Sequence, residues 1–550
     1  MKKIPIGIEN FKEMIDDQYY YIDKTELIND VMNEKLVLYT RPRRFGKTLN
    51  MSMLYYFFSH KEKDNAYLFD GLNVSKDKEV MFHQNQYPVI FMTLKDMKRT
   101  DYHQQIDKFA SLISDITKKN PELYTSPYID DDDKNILKMY KNRTCSMNDL
   151  QDALLKLSHC LYMHYQQKVI ILIDEYDVPL QSAYINGYYD EMVDFLRNVF
   201  SSALKTNDAL EKGVLTGCLR ISKESIFTGL NNFNVYSIMD EQSSTRFGFT
   251  QQEVNELLNE YNFLEQKDEV KEWYDGYRFG STEIYNPWSV LKYVLKAIQS
   301  KPEPESFWAN TSSNELVVNY IKNADDVMYD EFEMLMQGQS LVKYLKLDLT
   351  YQEMDNQDNV YSFLLLTGYL KVINQIDMNT YELIIPNKEV YQIYKNSFMD
   401  YFIDYTSERK QQLIKALLKE KVEEAENIFN DILFKDISYY DNQESFYHGF
   451  LVGLLEEYGV VSNKEGGEGR PDIVIRPRRG NGKAIVFECK HSKEQRNIVK
   501  DSEAGAKQII EKKYLEGIKA NEQREAIGYG ISFYKKRCKI TIAKKLDHSY

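Results

Sequence analysis

Lys35-Leu36-Val37-Leu38-Tyr39-Thr40 runs straight into Arg41-Pro42-Arg43-Arg44-Phe45-Gly46-Lys47-Thr48, and a helix-like stretch from Leu49 to Phe58 follows. The first six residues have the apolar content of a buried strand, and the loop after them ends on Gly-Lys-Thr where a helix would begin. Strand, loop and helix in that order bring backbone N–H groups and a helix N-terminus to one point, a seat for phosphate oxygens. In such a seat Lys47 reaches the outer phosphates of a nucleotide and Thr48 ligates Mg²⁺. Gly46, Arg43 and Arg44 add backbone or guanidinium contacts.

That is the context of a P-loop, GxxxxGK[ST], with one departure: the position of the first glycine holds Arg41, which predicts weaker nucleotide binding. A partner lies in Lys168-Val169-Ile170-Ile171-Leu172-Ile173-Asp174-Glu175-Tyr176-Asp177. An apolar strand ending in Asp-Glu has the Walker B pattern. Asp174 is expected to hold the Mg²⁺ shell, and Glu175 to orient or deprotonate the attacking water. Between Lys47 and Asp174 stand 126 residues, read as several helical segments and an acidic loop from Asp130 to Asp133. A third strand, Gly213-Val214-Leu215-Thr216-Gly217-Cys218, carries Thr216 as a sensor of the γ-phosphate. Arg220 follows as a finger toward phosphate in the same or a neighbouring subunit, and the Asn231-Asn232 pair reads as a turn.

The other end of the chain carries Gly469-Arg470-Pro471-Asp472, which opens Ile473-Val474-Ile475, and Ala484-Ile485-Val486-Phe487, which runs into Glu488-Cys489-Lys490. Strand side chains alternate faces, so Glu488 and Lys490 point one way and Cys489 the other. A hairpin through the Gly-rich turn Arg478 to Lys483 brings Asp472, Glu488 and Lys490 to one sheet edge. Two carboxylates there hold Mg²⁺ and the lysine positions or polarises a water, which is the requirement of phosphodiester hydrolysis. The competing reading is a surface hairpin with ordinary strand-end charges. These residues resemble the PD-(D/E)xK nuclease superfamily. That resemblance implies an acidic residue on the preceding helix, Glu444 with Glu456 and Glu457 as rivals, and Gln508 or Lys507 on the following one.

The 550 residues exceed one ordinary domain, and 43% apolar with 28% charged residues is the composition of a soluble globular chain. No run approaches the roughly 18 apolar residues of a membrane span. Met1 to Glu9 meets Pro5 and Glu9 before any signal-peptide core forms. Five scattered cysteines without metal-ligand spacing predict a reducing cytoplasm, with neither disulfide framework nor structural zinc. The formal charge of −14 is unevenly spread: Lys464 to Tyr550 holds 21 Lys and Arg against 12 Asp and Glu, leaving −23 on the rest. A basic tail on an acidic body suits a chain whose tail alone meets a phosphate backbone, although a solvated Lys-rich surface has the same composition.

The whole chain resembles a prokaryotic family that joins an AAA-ATPase-like domain to a C-terminal PD-(D/E)xK nuclease-like domain. The residues that carry this are Tyr21-Ile22-Asp23-Lys24-Thr25, Arg41 to Thr48, Ile173 to Asp177, Ser225 to Asn232, Trp273 to Tyr277, Tyr285 to Trp288, Gly469 to Asp472 and Glu488 to Lys490. In that family the Arg-Pro-Arg-Arg-Phe-Gly-Lys-Thr loop is the normal form, so Arg41 reads less as decay. The expected class is α/β. Residues 1–249 form an AAA-like P-loop NTPase with a parallel sheet, 250–425 a mostly helical lid and linker, and 426–550 a restriction-endonuclease-like nuclease domain. Within the middle region Thr250 N-caps a helix, Trp273 to Gly280 is an aromatic turn, and Asn286-Pro287 opens another helix. Phe363 to Tyr369 with Tyr381 to Asn387 forms a helix-plus-hairpin unit, and Arg409 to Phe434 is an amphipathic helical connector rich in Lys and Glu, with a solvated face.

The function this implies is a cytoplasmic ATPase whose nucleotide state governs an Mg²⁺- or Mn²⁺-dependent nuclease, in genome defence or mobile-element maintenance by analogy alone. Its expected partners are ATP and, at the basic C-terminal domain, nucleic acid, DNA ahead of RNA, with a homo-oligomer as an open arrangement and no membrane. Two rival readings stand beside it. One is a nucleotide-gated regulatory protein whose nuclease fold binds nucleic acid without cutting. The other keeps the nuclease and makes the ATPase a slow switch.

Overall fold

The computed structural model describes residues 2–205, 207–219, 226–227, 233–308, 326–356, 359–395, 412–436, 447, 451–452, 454–455, 460–462, 471–476, 483–522, 525–535 and 537–543. Arg220, Ser225, Thr228 to Asn232, Glu444, Glu456, Glu457, Gly469, Arg470 and the turn before Lys483 lie outside them. The chain forms two compact units, Met1–Lys395 and Asn396–Tyr550.

The first unit is built on a parallel sheet of β1 (Leu36–Thr40), β2 (Val89–Thr93), β3 (Val169–Asp174), β4 (Leu210–Gly217) and β5 (Phe233–Tyr236), in the order β2-β3-β4-β1-β5. β1 and β3 are buried along their whole length, which is why they read as unbroken apolar runs rather than alternating ones. The order places β4 between the loop-bearing strand and the acid-bearing strand. The ends of all three strands therefore meet at one rim, where open parallel sheets bind ligands.

Helices α1 (Lys47–Phe58), α2 (Tyr102–Lys118), α3 (Asp131–Asn142), α4 (Ala153–Tyr165), α5 (Val178–Asn186) and α6 (Tyr189–Leu204) complete this layer. The acidic run expected to be a loop is the start of α3. Asp130 accepts the N–H of Asp133 as N-cap, and three aspartates fill the first turn, where the helix dipole favours negative charge.

Helix is the commonest element among the described residues of 250–395: α7 (Gln251–Glu260), α8 (Lys267–Tyr274) and α9 (Pro287–Gln299) are followed by helices over Asp326–Met336 and Val360–Leu366. The same stretch also holds five strands that were not expected as a group. These are the hairpin β6 (Tyr277–Phe279) and β7 (Thr282–Ile284), and the antiparallel sheet β8 (Leu341–Tyr344), β9 (Lys371–Gln375) and β10 (Thr380–Ile384), ordered β8-β10-β9. The start signals held. Thr250 and Glu253 form a capping box, and Asn286 caps α9 with Pro287 in its first turn. The expected aromatic turn is the end of α8 plus this hairpin, with Tyr274 and Tyr277 buried. α7, α8 and α9 share an apolar core onto which Ile4, Ile6 and Tyr20 of the N-terminal segment pack.

The second unit is a mixed sheet, β11 (Val460–Ser462), β12 (Ile473–Ile475), β13 (Ala484–His491), β14 (Ala526–Tyr534) and β15 (Arg537–Ile542), in that order, with only β13 and β14 parallel. The side-chain period of two separates its faces. Ile485, Phe487 and Cys489 pack with Ile473, Leu413, Leu417, Phe429 and Leu433, the last two on α10 (Val422–Asp436). Val474, Val486 and Ala484 pack with Ala506 and Ile509 of α11 (Ile498–Glu511) and Ile518 of α12 (Tyr514–Glu522). The described part of the stretch read as an amphipathic connector is helical with a solvated face of Lys and Glu, and its Leu, Ile and Phe residues fill this core on the other.

Candidate active sites

At the rim of the first sheet, Gly46 caps α1 in the left-handed region at φ 83°, and Arg44 also takes a positive φ of 71°. These two turns swing the loop over the start of α1 and send Lys47 inward. Its ammonium donates to the carbonyls of Arg41 (3.1 Å) and Pro42 (3.2 Å) and lies 3.3 Å from a carboxylate oxygen of Glu175. Asp174 is fully buried and collects three hydroxyls. Thr48 and Thr93 donate to one oxygen at 2.9 and 3.2 Å, and Thr216 to the other at 2.6 Å. Burial, then the charge of Glu175, raises the Asp174 carboxyl above its ordinary range. A divalent cation would relieve both penalties, so this hydroxyl and carboxylate set fits Mg²⁺.

Lys47, Thr48, Glu175, Asp174, Gly46, Arg43 and Arg44 therefore come to one place. Arg43, Arg44, Gly46, Lys47, Thr48 and Glu175 line a cavity of about 430 Å³, within the range of small-molecule sites. Its other walls include Tyr20, Lys95, Phe249 and Trp288. Thr216 is placed differently from expectation: it is buried and its hydroxyl donates to Asp174, so it orients the acid instead of facing the cavity.

Arg41 does not touch this cavity. Its guanidinium is fully buried and donates to the carbonyls of Thr40 (2.9 Å), Tyr236 (2.7 Å), Ser243 (3.3 Å) and Gln242 (3.5 Å). It also lies 5.1 Å from each of the Phe247 and Phe279 rings. The arginine in the glycine position is a clamp that ties the loop to the segment after β5, which accounts for the departure from the usual motif.

Two residues at this site had no reading of their own in the sequence. Asp177 accepts the backbone N–H groups of Cys218 and Leu219 at 2.9 and 3.0 Å, fixing the end of β4, and burial with Glu175 pushes its carboxyl up to about 6. The repeated acid in Asp174-Glu175-Tyr176-Asp177 was the available signal. Gln181, one turn into α5, accepts from Arg43 at 2.5 Å, and no sequence pattern pointed to it. The Tyr21 to Thr25 motif anchors the N-terminal segment, with Lys24 paired to Glu253 at 2.6 Å and Asp23 and Thr25 accepting N–H groups of Asn73 and Val74, and its Tyr21, Ile22 and Lys24 also line the cavity.

In the second unit, β12 and β13 pair antiparallel with Ile473 opposite Phe487, and Asp472 accepts the N–H of Cys489 at 2.8 Å. Glu488 is 3% exposed. Its Oε1 accepts from Lys490 at 3.2 Å and from the amide of Gln508, whose own oxygen accepts from Lys490 at 2.9 Å. Its Oε2 is buried without a partner. Burial first, then the charge of Asp472, pushes the Glu488 carboxyl up to about 7, with Lys490 opposing. Asp472, Glu488, Lys490 and Gln508 are thus brought together, whereas Lys507 pairs with Glu511 at the surface. An orphaned carboxylate oxygen beside a second carboxylate fits a divalent cation. Among the described residues no set of three His, Cys, Asp or Glu side chains forms a ready metal cluster.

The packing that delivers Gln508 depends on bare backbone. A Cβ on Gly530 would lie 2.1 Å from the Ser502 carbonyl and 2.2 Å from the Ala506 nitrogen, so α11 can lie this close to β14 only over glycine.

A loop-bearing parallel sheet with a buried acid opposite, and a mixed sheet with a D…ExK edge, define a P-loop nucleotide module joined to a nuclease-like module. Comparison with known proteins agrees: residues 5–227 match a family model described as a predicted AAA-ATPase, and residues 442–542 match the PD-(D/E)XK nuclease superfamily. An uncharacterized protein in the vnfD 5′ region of Azotobacter chroococcum mcd 1 is 27% identical over 324 residues, 58% of this chain. The match spans 56% of that relative's length. Among the described residues no helix is long and apolar enough to cross a membrane.

Proposed function

We propose that the chain binds and hydrolyses ATP at the first site and hydrolyses phosphodiester bonds of nucleic acid at the second, with the nucleotide state governing the cutting. At the first site Lys47 leaves its two carbonyls and Glu175 for phosphate oxygens, Thr48 and Asp174 hold Mg²⁺, and Glu175 takes or orients the proton of the attacking water. At the second, Asp472 and Glu488 hold Mg²⁺ or Mn²⁺. Bound metal lowers the pKa of water and steadies charge on the phosphate. Lys490, held between Glu488 and Gln508, orients that water and keeps Glu488 ionised.

The observation that carries the nuclease reading is the buried, unpartnered Oε2 of Glu488 beside Asp472. A buried carboxylate oxygen left without a donor, beside a second carboxylate, is costly in a surface hairpin with no ligand to meet it. The basic balance of the C-terminal residues supports nucleic acid as the substrate; DNA ahead of RNA, and cytoplasmic genome defence or mobile-element maintenance as the setting, rest on analogy with other ATPase–nuclease fusions alone. The test is cleavage of labelled single- and double-stranded DNA and RNA with Mg²⁺ or Mn²⁺, comparing wild type with Lys490→Ala. Metal-dependent cutting lost in the variant supports the reading. Retention of nucleic acid without cutting by wild type moves it to the regulatory binder.

A further inference from the structure

Three arginines share one loop, and their surroundings separate them. Arg41 is fully buried, its Nη1 and Nη2 committed to four carbonyls between two aromatic rings and its Nε without a partner, so it has no donor open to the cavity. Arg44 lies over Trp288, 4.2 Å from the ring centroid, with Nη1 buried and without a hydrogen-bond partner. Arg43 has five N–H donors, yet its hydrogen-bond partner among the described residues is one neutral acceptor, Gln181 Oε1 at 2.5 Å. None of its nitrogens is among the buried atoms that lack a partner, so its remaining donors are open to the cavities it borders. Those are the main cavity, which it lines with Lys47, Thr48 and Glu175, and a small one of about 30 Å³ lined by Gln181, Cys218, Tyr351 and Tyr369.

A neutral acceptor fixes a guanidinium in direction without cancelling its charge. An acidic partner would have cancelled it, as Asp30 and Glu26 do for Arg246 at the rim of the same cavity. Arg43 is therefore aimed by Gln181 and, although Glu175 and Asp177 lie near enough to attract it, holds no hydrogen-bonded ion pair among the described residues, so its open donors face an incoming anion. Gln181 sits on α5, which starts directly after Asp174, Glu175 and Asp177, so the aim is tied to the strand that holds the proposed base.

We propose that Arg43 is the catalytic cation of ATP hydrolysis, supplied by the same chain and positioned by Gln181; this rests on the ATPase reading above. In the step concerned, water oxygen bonds to the γ-phosphorus and its proton passes to Glu175. The bond to the bridging oxygen breaks, and ADP leaves with the electron pair. The guanidinium donates to the γ-phosphate and bridging oxygens as charge grows there, a role other phosphoryl-transfer proteins fill from a second molecule. A cation from the same chain makes turnover per chain independent of protein concentration.

The experiment is steady-state ATP hydrolysis with equilibrium ATP binding for wild type, Arg43→Ala, Arg43→Lys, Gln181→Ala and Gln181→Glu, with a thermal midpoint for each. Arg43→Ala is expected to lower kcat on the order of a thousandfold while ATP affinity changes by no more than about threefold. Arg43→Lys keeps the charge and the fold but loses the fork, and recovers only part of kcat. Gln181→Glu captures Arg43 in an ion pair and lowers kcat at an unchanged or raised midpoint, which a purely structural Arg43 would not do. Hydrolysis by Arg43→Ala at the wild-type rate, or activity regained by mixing Arg43→Ala with Lys47→Ala, overturns the proposal alone. Wild type that binds ATP and never hydrolyses it overturns the ATPase reading and this proposal together.

Discussion

Restoring the usual glycine at position 41 should harm this protein. Arg41→Gly removes two short charge-assisted hydrogen bonds, 2.9 Å to Thr40 and 2.7 Å to Tyr236, and two long ones to Ser243 and Gln242. The short pair contributes about 3–6 kcal/mol, the two phenylalanine faces about 1, and the freedom of the new glycine adds about 1 to the loss. Against this stands the desolvation that pulls the Arg41 guanidinium down to about 10 from 12.5, a penalty of about 3 kcal/mol that the variant escapes. The net expectation is destabilisation of the first unit by about 3 kcal/mol. The assay is built in: the chain's three tryptophans, Trp273, Trp288 and Trp308, all lie in the unit Met1–Lys395, so urea unfolding followed by tryptophan fluorescence reports on it alone. ATP affinity should fall with stability, because the clamp holds the loop in place. An unchanged unfolding midpoint with tighter ATP binding would refute the clamp and return Arg41 to a mere departure from the motif.

Glu488 predicts a pH dependence at the second site. With its carboxyl pushed up to about 7, metal must displace a proton below that pH. Mg²⁺ affinity should therefore climb roughly tenfold per unit up to about pH 7 and level off above it, and a flat titration from pH 5.5 to 8 would contradict this. Glu389, fully buried, accepts from Ser289 and Trp308 and is pushed up to about 7 by burial. The folded state holds its proton where the unfolded chain has released it. Its stabilising contribution is thus complete below the ordinary 4.5 and lost as pH rises to about 7, by at most about 3 kcal/mol. Glu389→Gln should gain on wild type by up to that amount between pH 4.5 and 8 in the same fluorescence assay, and a constant difference would exclude it. Gly530→Ala should cost about 2–3 kcal/mol of the second unit's stability by pushing α11 outward. The displaced Gln508 would leave Glu488, so cutting should fall with it, and wild-type cutting by this variant would show that α11 has room.

The site-bearing strands β1, β3, β4, β12 and β13 could be read from the sequence because buried apolar runs lead into each site, whereas β2, β5, β11, β14 and β15, which carry no site residue, were not read. β1 and β3 are apolar over their whole length, and an abrupt Gly-Lys-Thr or Asp-Glu at the end of such a run has few structural explanations. The β12–β13 edge was legible through the two-residue alternation that puts Glu488 and Lys490 on one face. Contacts between residues far apart in the chain were not. Arg41 meeting the carbonyls of Tyr236 and Ser243, or Arg43 meeting Gln181 across 138 positions, leaves no local pattern. In the small sheet β8-β10-β9 the helix-plus-hairpin part was legible, and helix Val360–Leu366 does lead into the β9–β10 hairpin, whereas β8 was not, since it pairs with β10 from more than 30 positions away. The amphipathic pattern of the α10 region was legible, but periodicity alone does not say what its apolar face packs against, so it was read as a connector and not as part of the nuclease-like core.

The central claim is that nucleotide bound at Lys47 controls cutting at Glu488. It is tested most directly by the single-turnover cleavage rate of wild type and Lys47→Ala on one labelled DNA, each with and without ATP. The account predicts that ATP changes the wild-type rate several-fold, and that Lys47→Ala cuts at one rate under both conditions, equal to wild type without ATP. A wild-type rate unaffected by ATP, at concentrations where binding is saturated, would contradict it.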